Sequence, residues 1–134
     1  MPRLTDWPER LDALVRARAE WPFVWGVNDC CTFAADAVLA ITGVDVMGTL
    51  RQRYQSAFEA LGLTQELGGL RAAVTGALGE PVDASRCTVG DVLLIHNDGR
   101  ELVAVCNGAT ALAPGPRRLE TLASPQILAA WRVG

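Results

Sequence analysis

Hydrophobic positions follow two different periods along the chain, and the change falls near Gly90. Before Gly90 the apolar residues recur at helical spacing, whereas after it short apolar runs are separated by turn residues. The helical pattern covers four stretches: Asp6 to Glu20, Cys30 to the stop at Gly43, about Leu50 to Leu61, and about Thr64 to Ala77. In the third stretch, the residues predicted to point inward are Tyr54, Ala57, Phe58 and Leu61.

The clearest of these patterns begins at Cys30. Asn28 or Asp29 is a good N-cap residue, and Gly43 is typical of a helix C-terminus. The positions that recur at i, i+3, i+4, i+7, i+8 and i+11 are Cys30, Phe33, Ala34, Ala37, Val38 and Ile41. This spacing predicts one face of a buried helix.

Strands are predicted beyond Gly90. The polar residues of Asn97-Asp98-Gly99 favour a hairpin turn, and Asn107-Gly108 favours a second one. The predicted strands are Asp91 to His96, Glu101 to Cys106, the weaker Ala109 to Ala113, and the closing Ala129 to Val133. Helices followed by an antiparallel sheet define an α+β fold. We expect the core to contain Phe33, Ala37, Val38 and Ile41 together with Leu93, Ile95, Val103 and Val105.

Length and composition limit the class of protein. The 134 residues, half of them hydrophobic and a fifth charged, predict a single globular domain over residues 1–134. The net charge of −3 and the lack of a basic stripe argue against a nucleic-acid partner. No apolar run approaches the roughly 18 residues of a membrane span. The charged N-terminal residues predict no secretory signal, and no sequence feature calls for a cofactor.

Candidate chemistry centres on Cys30, which directly follows a capping Asp at the start of the buried helix. Unpaired N–H groups there lower a thiol pKa and can hold an oxyanion. The alternative is that Cys30 is a small core residue. The spacing of Cys30, Cys31, Cys87 and Cys106 is not typical of a zinc site, the only histidine is His96, and no disulfide framework is expected. We therefore predict no metal.

Three short blocks of the sequence resemble the NlpC/P60 group of papain-like cysteine hydrolases. They are Trp25-Gly26 with Asn28 to Phe33, then Gly90 to Leu94, then the strand Leu102 to Val105, and they occur in the order of that group. The sequence is most similar to small phage-encoded members associated with tail-tip genes. Those members also show an Ala-Pro-Gly segment and a terminal Ala-Trp-Arg-Val, here Ala113 to Gly115 and Ala130 to Val133.

The resemblance implies a fold, a mechanism and a substrate. Cys30 would be the nucleophile on a helix packed against the sheet, and a histidine on the second strand would be its base. The substrate would be a peptide or amide bond of the peptidoglycan stem peptide. This sequence departs from the pattern, because the alignment puts Leu102 at the histidine position. His96, on the preceding strand, is the weak candidate base. We expect Asp91 to accept backbone hydrogen bonds at its turn and Asp36 to be solvated or paired with arginine.

Three hypotheses follow. The favoured one is a structural or assembly protein of a phage tail tip, with a degenerate NlpC/P60-like fold. It would be made in the bacterial cytoplasm, built into the virion tail, and would contact other tail-tip or hub proteins and peptidoglycan. The second is an active papain-like peptidase or amidase that uses Cys30 with His96 or a water-mediated base. The third is a binding or metal module that uses the four cysteines and His96.

Overall fold

The computed structural model describes all 134 residues of the chain. Four α-helices come first and five strands follow, so the predicted α+β class is confirmed. The helices are α1 (Trp7–Arg18), α2 (Cys30–Thr42), α3 (Ala57–Glu66) and α4 (Leu70–Leu78), with 3-10 turns at Gly48–Gln52 and Ala84–Arg86. The strands are β1 (Val92–Asn97), β2 (Arg100–Asn107), β3 (Thr110–Pro114), β4 (Leu119–Ala123) and β5 (Gln126–Trp131).

The sheet is antiparallel throughout, in the order β4-β3-β2-β1-β5. β1 pairs with β2 along the whole length of β1, from Val92 opposite Val105 to Asn97 opposite Arg100. β2 and β3 pair only from Val105 to Asn107. The first half of β2 therefore separates from β3, and a gap opens between the two strands on the side of α2.

The two faces of the sheet are buried in different clusters. α2 packs on one face, where Phe33, Val38 and Ile41 meet Val103 and Val105. The opposite face is made by Leu93 and Ile95 with small residues such as Ala104 and Cys106. All eight residues of the predicted core are buried. Their grouping is wrong for β1, because Val92 and Leu94, rather than Leu93 and Ile95, lie on the α2 face.

α2 begins and ends where the sequence predicts. Asp29 caps its N-terminus: Asp29 Oδ1 accepts from the Thr32 N–H at 2.9 Å, and the Thr32 hydroxyl accepts from the Asp29 N–H at 2.8 Å. Gly43 ends the helix with a left-handed φ of 80°, which glycine adopts without steric cost. The capping box fixes the direction in which Cys30, the first helical residue, points.

The middle of the chain differs from the prediction. Residues 50–56 do not form the start of an α-helix, and α3 begins only at Ala57, after the cap residue Ser56. Phe58 was predicted to point inward, yet its side chain is 86 % exposed. β4 was not predicted, and β5 begins three residues before the predicted Ala129. No helix is long and apolar enough to cross a membrane.

Two buried or half-buried carboxylates hold segments that are distant in sequence. Asp91 is fully buried and accepts hydrogen bonds from Arg3, from the Thr88 N–H and from the Val133 N–H, which joins both ends of the chain to the start of β1. The turn role predicted for Asp91 is therefore confirmed and extended. Asp36 forms ion pairs with Arg18 and Arg51, as expected for a half-buried carboxylate on α2.

Candidate functional site around Cys30

Asp29 organises the start of α2 as well as capping it. The carboxylate is 1 % exposed, and its second oxygen accepts from the Gly26 N–H and from the Tyr54 hydroxyl, each at 2.8 Å. With the bond from the Thr32 N–H, the carboxylate accepts three hydrogen bonds. The loop before α2 and the segment before α3 are thereby held around the first turn, and Cys30 lies between them.

The Cys30 thiol lies beside a second thiol, that of Cys31. Its Sγ lies 4.0 Å from Cys31 Sγ. The hydrogen bond from Cys31 is the main cause that lowers the pKa of Cys30, and the backbone N–H of Val103 lowers it further, against the opposing effects of burial and of the Asp29 charge. The same contact, together with burial, raises the pKa of Cys31. Cys30 is therefore the more acidic thiol of the pair.

The N–H of Val103 is free for this contact because β2 leaves β3. The backbone of Cys106 points toward the start of β1: its N–H donates to the Asp91 carbonyl, and its carbonyl accepts from the Gly90 N–H. Along a strand these directions alternate, so the N–H groups of Glu101 and Val103 point toward the gap beside β3. The Cys30 sulfur, at the first residue of α2, thus contacts the Val103 N–H, which has no partner on β3.

Two cavities meet at Cys30. The larger has a volume of about 320 Å³ and extends between α2 and the pair of helices α3 and α4. The smaller, about 100 Å³, lies in the gap between β2 and β3 and is lined by Arg100 and Pro114. Cys30, Trp25 and Glu101 line both. Cys30 therefore lies between an apolar cavity and a smaller cavity that has both apolar and charged lining residues.

The side chain that β2 presents to this site is Glu101. Leu102, which the alignment put at the histidine position, packs on the opposite face with Ile95 and its neighbours and lines only the smaller cavity. Glu101 and Val103 are on the α2 face, since strand residues alternate between faces. His96 pairs with Glu101 in the register of β1 and β2 and lies on the same face, but it lines neither cavity.

Comparison with known proteins gives one match. The family model described as a domain of unknown function, DUF6950, matches residues 2–133. The chain belongs to the DUF6950 family. The search of curated proteins found no match, and neither did the search of solved structures.

The DUF6950 chain does not bring together the five residues of the metal-module hypothesis. Cys30 and Cys31 pack with the α2 cluster, whereas Cys87 and Cys106 pack on the other face of the sheet. Cys106 Sγ lies 3.9 Å from Cys87 Sγ, and all four cysteines are free. No group of three or more His, Cys, Asp or Glu side chains converges on a common point.

Sequence patterns missed the contribution of Tyr54 to this site of the DUF6950 domain. Tyr54 was predicted as a core residue of a helix, and it is buried, but it lies in the segment before α3 and its hydroxyl bonds to Asp29. Burial, followed by the charge of Asp29, strongly raises the pKa of Tyr54, so the phenol stays protonated and donates. The two residues are 25 positions apart, and no local pattern links them.

Proposed function

We propose that this DUF6950 chain is an assembly protein of a phage tail tip, with a papain-like fold of the NlpC/P60 kind whose Cys30 site has lost hydrolytic activity. Its expected place is the virion tail, in contact with other tail-tip or hub proteins. The sequence blocks from Trp25 to Gly108 support the resemblance. The α+β architecture, with Cys30 at the start of a helix packed on an antiparallel sheet, is compatible with it.

One observation carries the loss of activity. The positions of β2 on the α2 face beside Cys30 hold Glu101 and Val103, and the position aligned with the family's histidine holds Leu102, which packs with the cluster on the opposite face and cannot accept a proton. A papain-like mechanism needs a group that takes the thiol proton and delivers it to the leaving amine, which contributes about 10²–10⁴-fold in rate. Neither the Glu101 carboxylate nor the Val103 side chain is the imidazole that makes this proton transfer in a papain-like site.

The activity test uses purified peptidoglycan stem peptides and the full chain. We expect the wild type to release no more fragments than Cys30→Ser, with thermal unfolding used to show that both proteins are folded. Release by the wild type that Cys30→Ser abolishes would overturn the proposed loss of activity.

The assembly test uses the replicon that carries the gene. Deletion is expected to prevent complete tails, seen by electron microscopy, and both the wild type and Cys30→Ser are expected to restore them. Normal tails after deletion would refute the assembly role. Rescue by the wild type but not by a folded Cys30→Ser would show that the thiol is needed, which the proposal denies.

An active cysteine peptidase or amidase is the second candidate, and two observations favour it. The pKa of Cys30 is lowered, and His96 lies on the α2 face directly across from Glu101, which lines both cavities. If stem peptides are cleaved, His96→Ala is expected to lower the rate at least as much as Glu101→Gln. Equal rates in the wild type and His96→Ala would exclude His96 as the base.

A further inference from the structure

The larger cavity beside Cys30 is a groove lined almost entirely by apolar side chains. Its walls are aliphatic: Ala34 and Val38 from α2, Leu63 from α3, and Val74 from α4 are among its lining residues. Of the 25 lining residues, 22 are hydrophobic. At about 320 Å³ the groove has the size of a small-molecule site, and about twice the volume of an apolar cavity that stays dry and holds a benzene ring.

Three polar groups along the groove, the Asp29 carboxylate and the hydroxyls of Tyr54 and Thr64, are already used in hydrogen bonds. The Tyr54 hydroxyl donates to Asp29, and the Thr64 hydroxyl donates to the Ala60 carbonyl at 2.8 Å. Asp29 itself accepts three hydrogen bonds. Water or a peptide backbone in the groove would find few partners, which makes its burial there unfavourable. A hydrocarbon chain has no such requirement.

We propose that this groove binds a single aliphatic chain of about ten carbons, with an uncharged polar head at the Cys30 end. The chain length follows from the volume, about twice that of the benzene-sized cavity. The head position follows from the remaining polar groups that line the groove, because the Glu101 carboxylate and the hydrogen-bonded Cys30–Cys31 thiols all lie at that end.

The charge of the site selects the head group. The ionisable groups that line the groove, apart from the thiols and the phenol, are Asp29 and Glu101, both acidic, and no arginine lines it. A carboxylate head inside the groove would meet the like charges of Asp29 and Glu101, and Arg100 lines only the smaller cavity. An alcohol can donate a hydrogen bond to Glu101. The groove therefore discriminates between an alcohol and a fatty acid of equal chain length.

The first experiment measures binding of 1-decanol to the full chain by calorimetry. Ala73 lines the groove from α4, so Ala73→Phe fills it and is expected to weaken binding at least tenfold. Ala72 is exposed on the same helix, so Ala72→Phe is the matched control and should bind like the wild type. Ala60→Phe on α3 tests the same point if Ala73→Phe does not fold.

The second experiment compares 1-decanol with decanoate at neutral pH. We expect the wild type to bind the alcohol at least tenfold more tightly than the carboxylate. Glu101 is exposed, so Glu101→Gln should fold, and this variant should lose most of that preference. Absence of decanol binding to the wild type, or equal binding by the Ala73→Phe and Ala72→Phe proteins, would overturn the groove as the site. Equal binding of alcohol and carboxylate by the wild type would overturn the assigned head position.

A third measurement locates the bound head. Decanol at saturation is expected to slow alkylation of Cys30 about tenfold, while Cys87, on the other face of the sheet, serves as an internal control with an unchanged rate. Unchanged alkylation of Cys30 would contradict the placement of the head. Because this inference rests on the groove alone, its failure leaves the proposed tail-tip role unaffected, and the reverse holds as well.

Discussion

The hydroxyl of Tyr54 donates a buried 2.8 Å hydrogen bond to the carboxylate of Asp29, the residue that caps α2 and immediately precedes Cys30. This bond joins the segment before α3 to the first turn of the buried helix. It also holds a wall of the aliphatic groove in place, because both residues line it.

Tyr54→Phe tests the strength of this link. The variant keeps the ring but leaves Asp29 with one donor fewer, and a hydrogen bond to a charged group contributes about 1.5–3 kcal/mol. We expect a loss in that range in the free energy of unfolding measured with urea. An unchanged midpoint would show that the bond adds nothing to the folded state.

Cys31→Ala tests how the Cys30 thiolate is stabilised. Since the hydrogen bond from Cys31 is the main cause that lowers the pKa of Cys30, its removal should raise that pKa. The measurement is the pH dependence of iodoacetamide labelling at Cys30, followed by mass spectrometry. In the wild type the midpoint should fall below that of an ordinary cysteine thiol, and in Cys31→Ala it should move upward. A midpoint that does not move would assign the lowered pKa to the Val103 N–H and the helix terminus.

Val38→Asp tests the core between α2 and the sheet. Val38 is 1 % exposed, so an aspartate there would be an unpaired charge among hydrocarbon groups, at a cost of order 3 kcal/mol or more. The neighbouring Leu39 is 41 % exposed, and Leu39→Asp is the matched control with a small expected effect. Similar thermal midpoints for the two variants would contradict the packing of α2.

The pair Cys87 and Cys106 should form a disulfide more readily than the pair Cys30 and Cys31. The sulfurs of Cys87 and Cys106 are 3.9 Å apart on different segments, whereas Cys30 and Cys31 are adjacent on one helix. Diamide, a two-electron thiol oxidant, should therefore join Cys87 to Cys106, with a loss of two hydrogen atoms. Peptide mapping checks the pairing, and Cys87→Ala is the control that should abolish it. Burial raises the pKa of Cys106, so the reaction should be faster at higher pH.

The sequence by itself determined the elements whose signals are local. The period change at Gly90, the cap residues at Asp29 and Gly43, and the apolar spacing from Cys30 to Ile41 predict α2 and the first three strands to within two residues. These signals are reliable because capping and amphipathic spacing depend on neighbours within one or two turns. The placement of Cys30 at the start of α2 follows from them.

Tertiary structure decided which residues meet at that cysteine. A shift of one residue in a strand moves a side chain to the other face of the sheet, so alignment could not distinguish Leu102 from Glu101 as the neighbour of Cys30. The position of Tyr54 depends on the packing of a segment 25 residues away from Asp29. The exposure of Phe58 depends on how α3 packs, since Ala57, Ala60 and Leu61 line the groove and Phe58 does not. Such contacts are set by packing between distant segments, which no local pattern encodes.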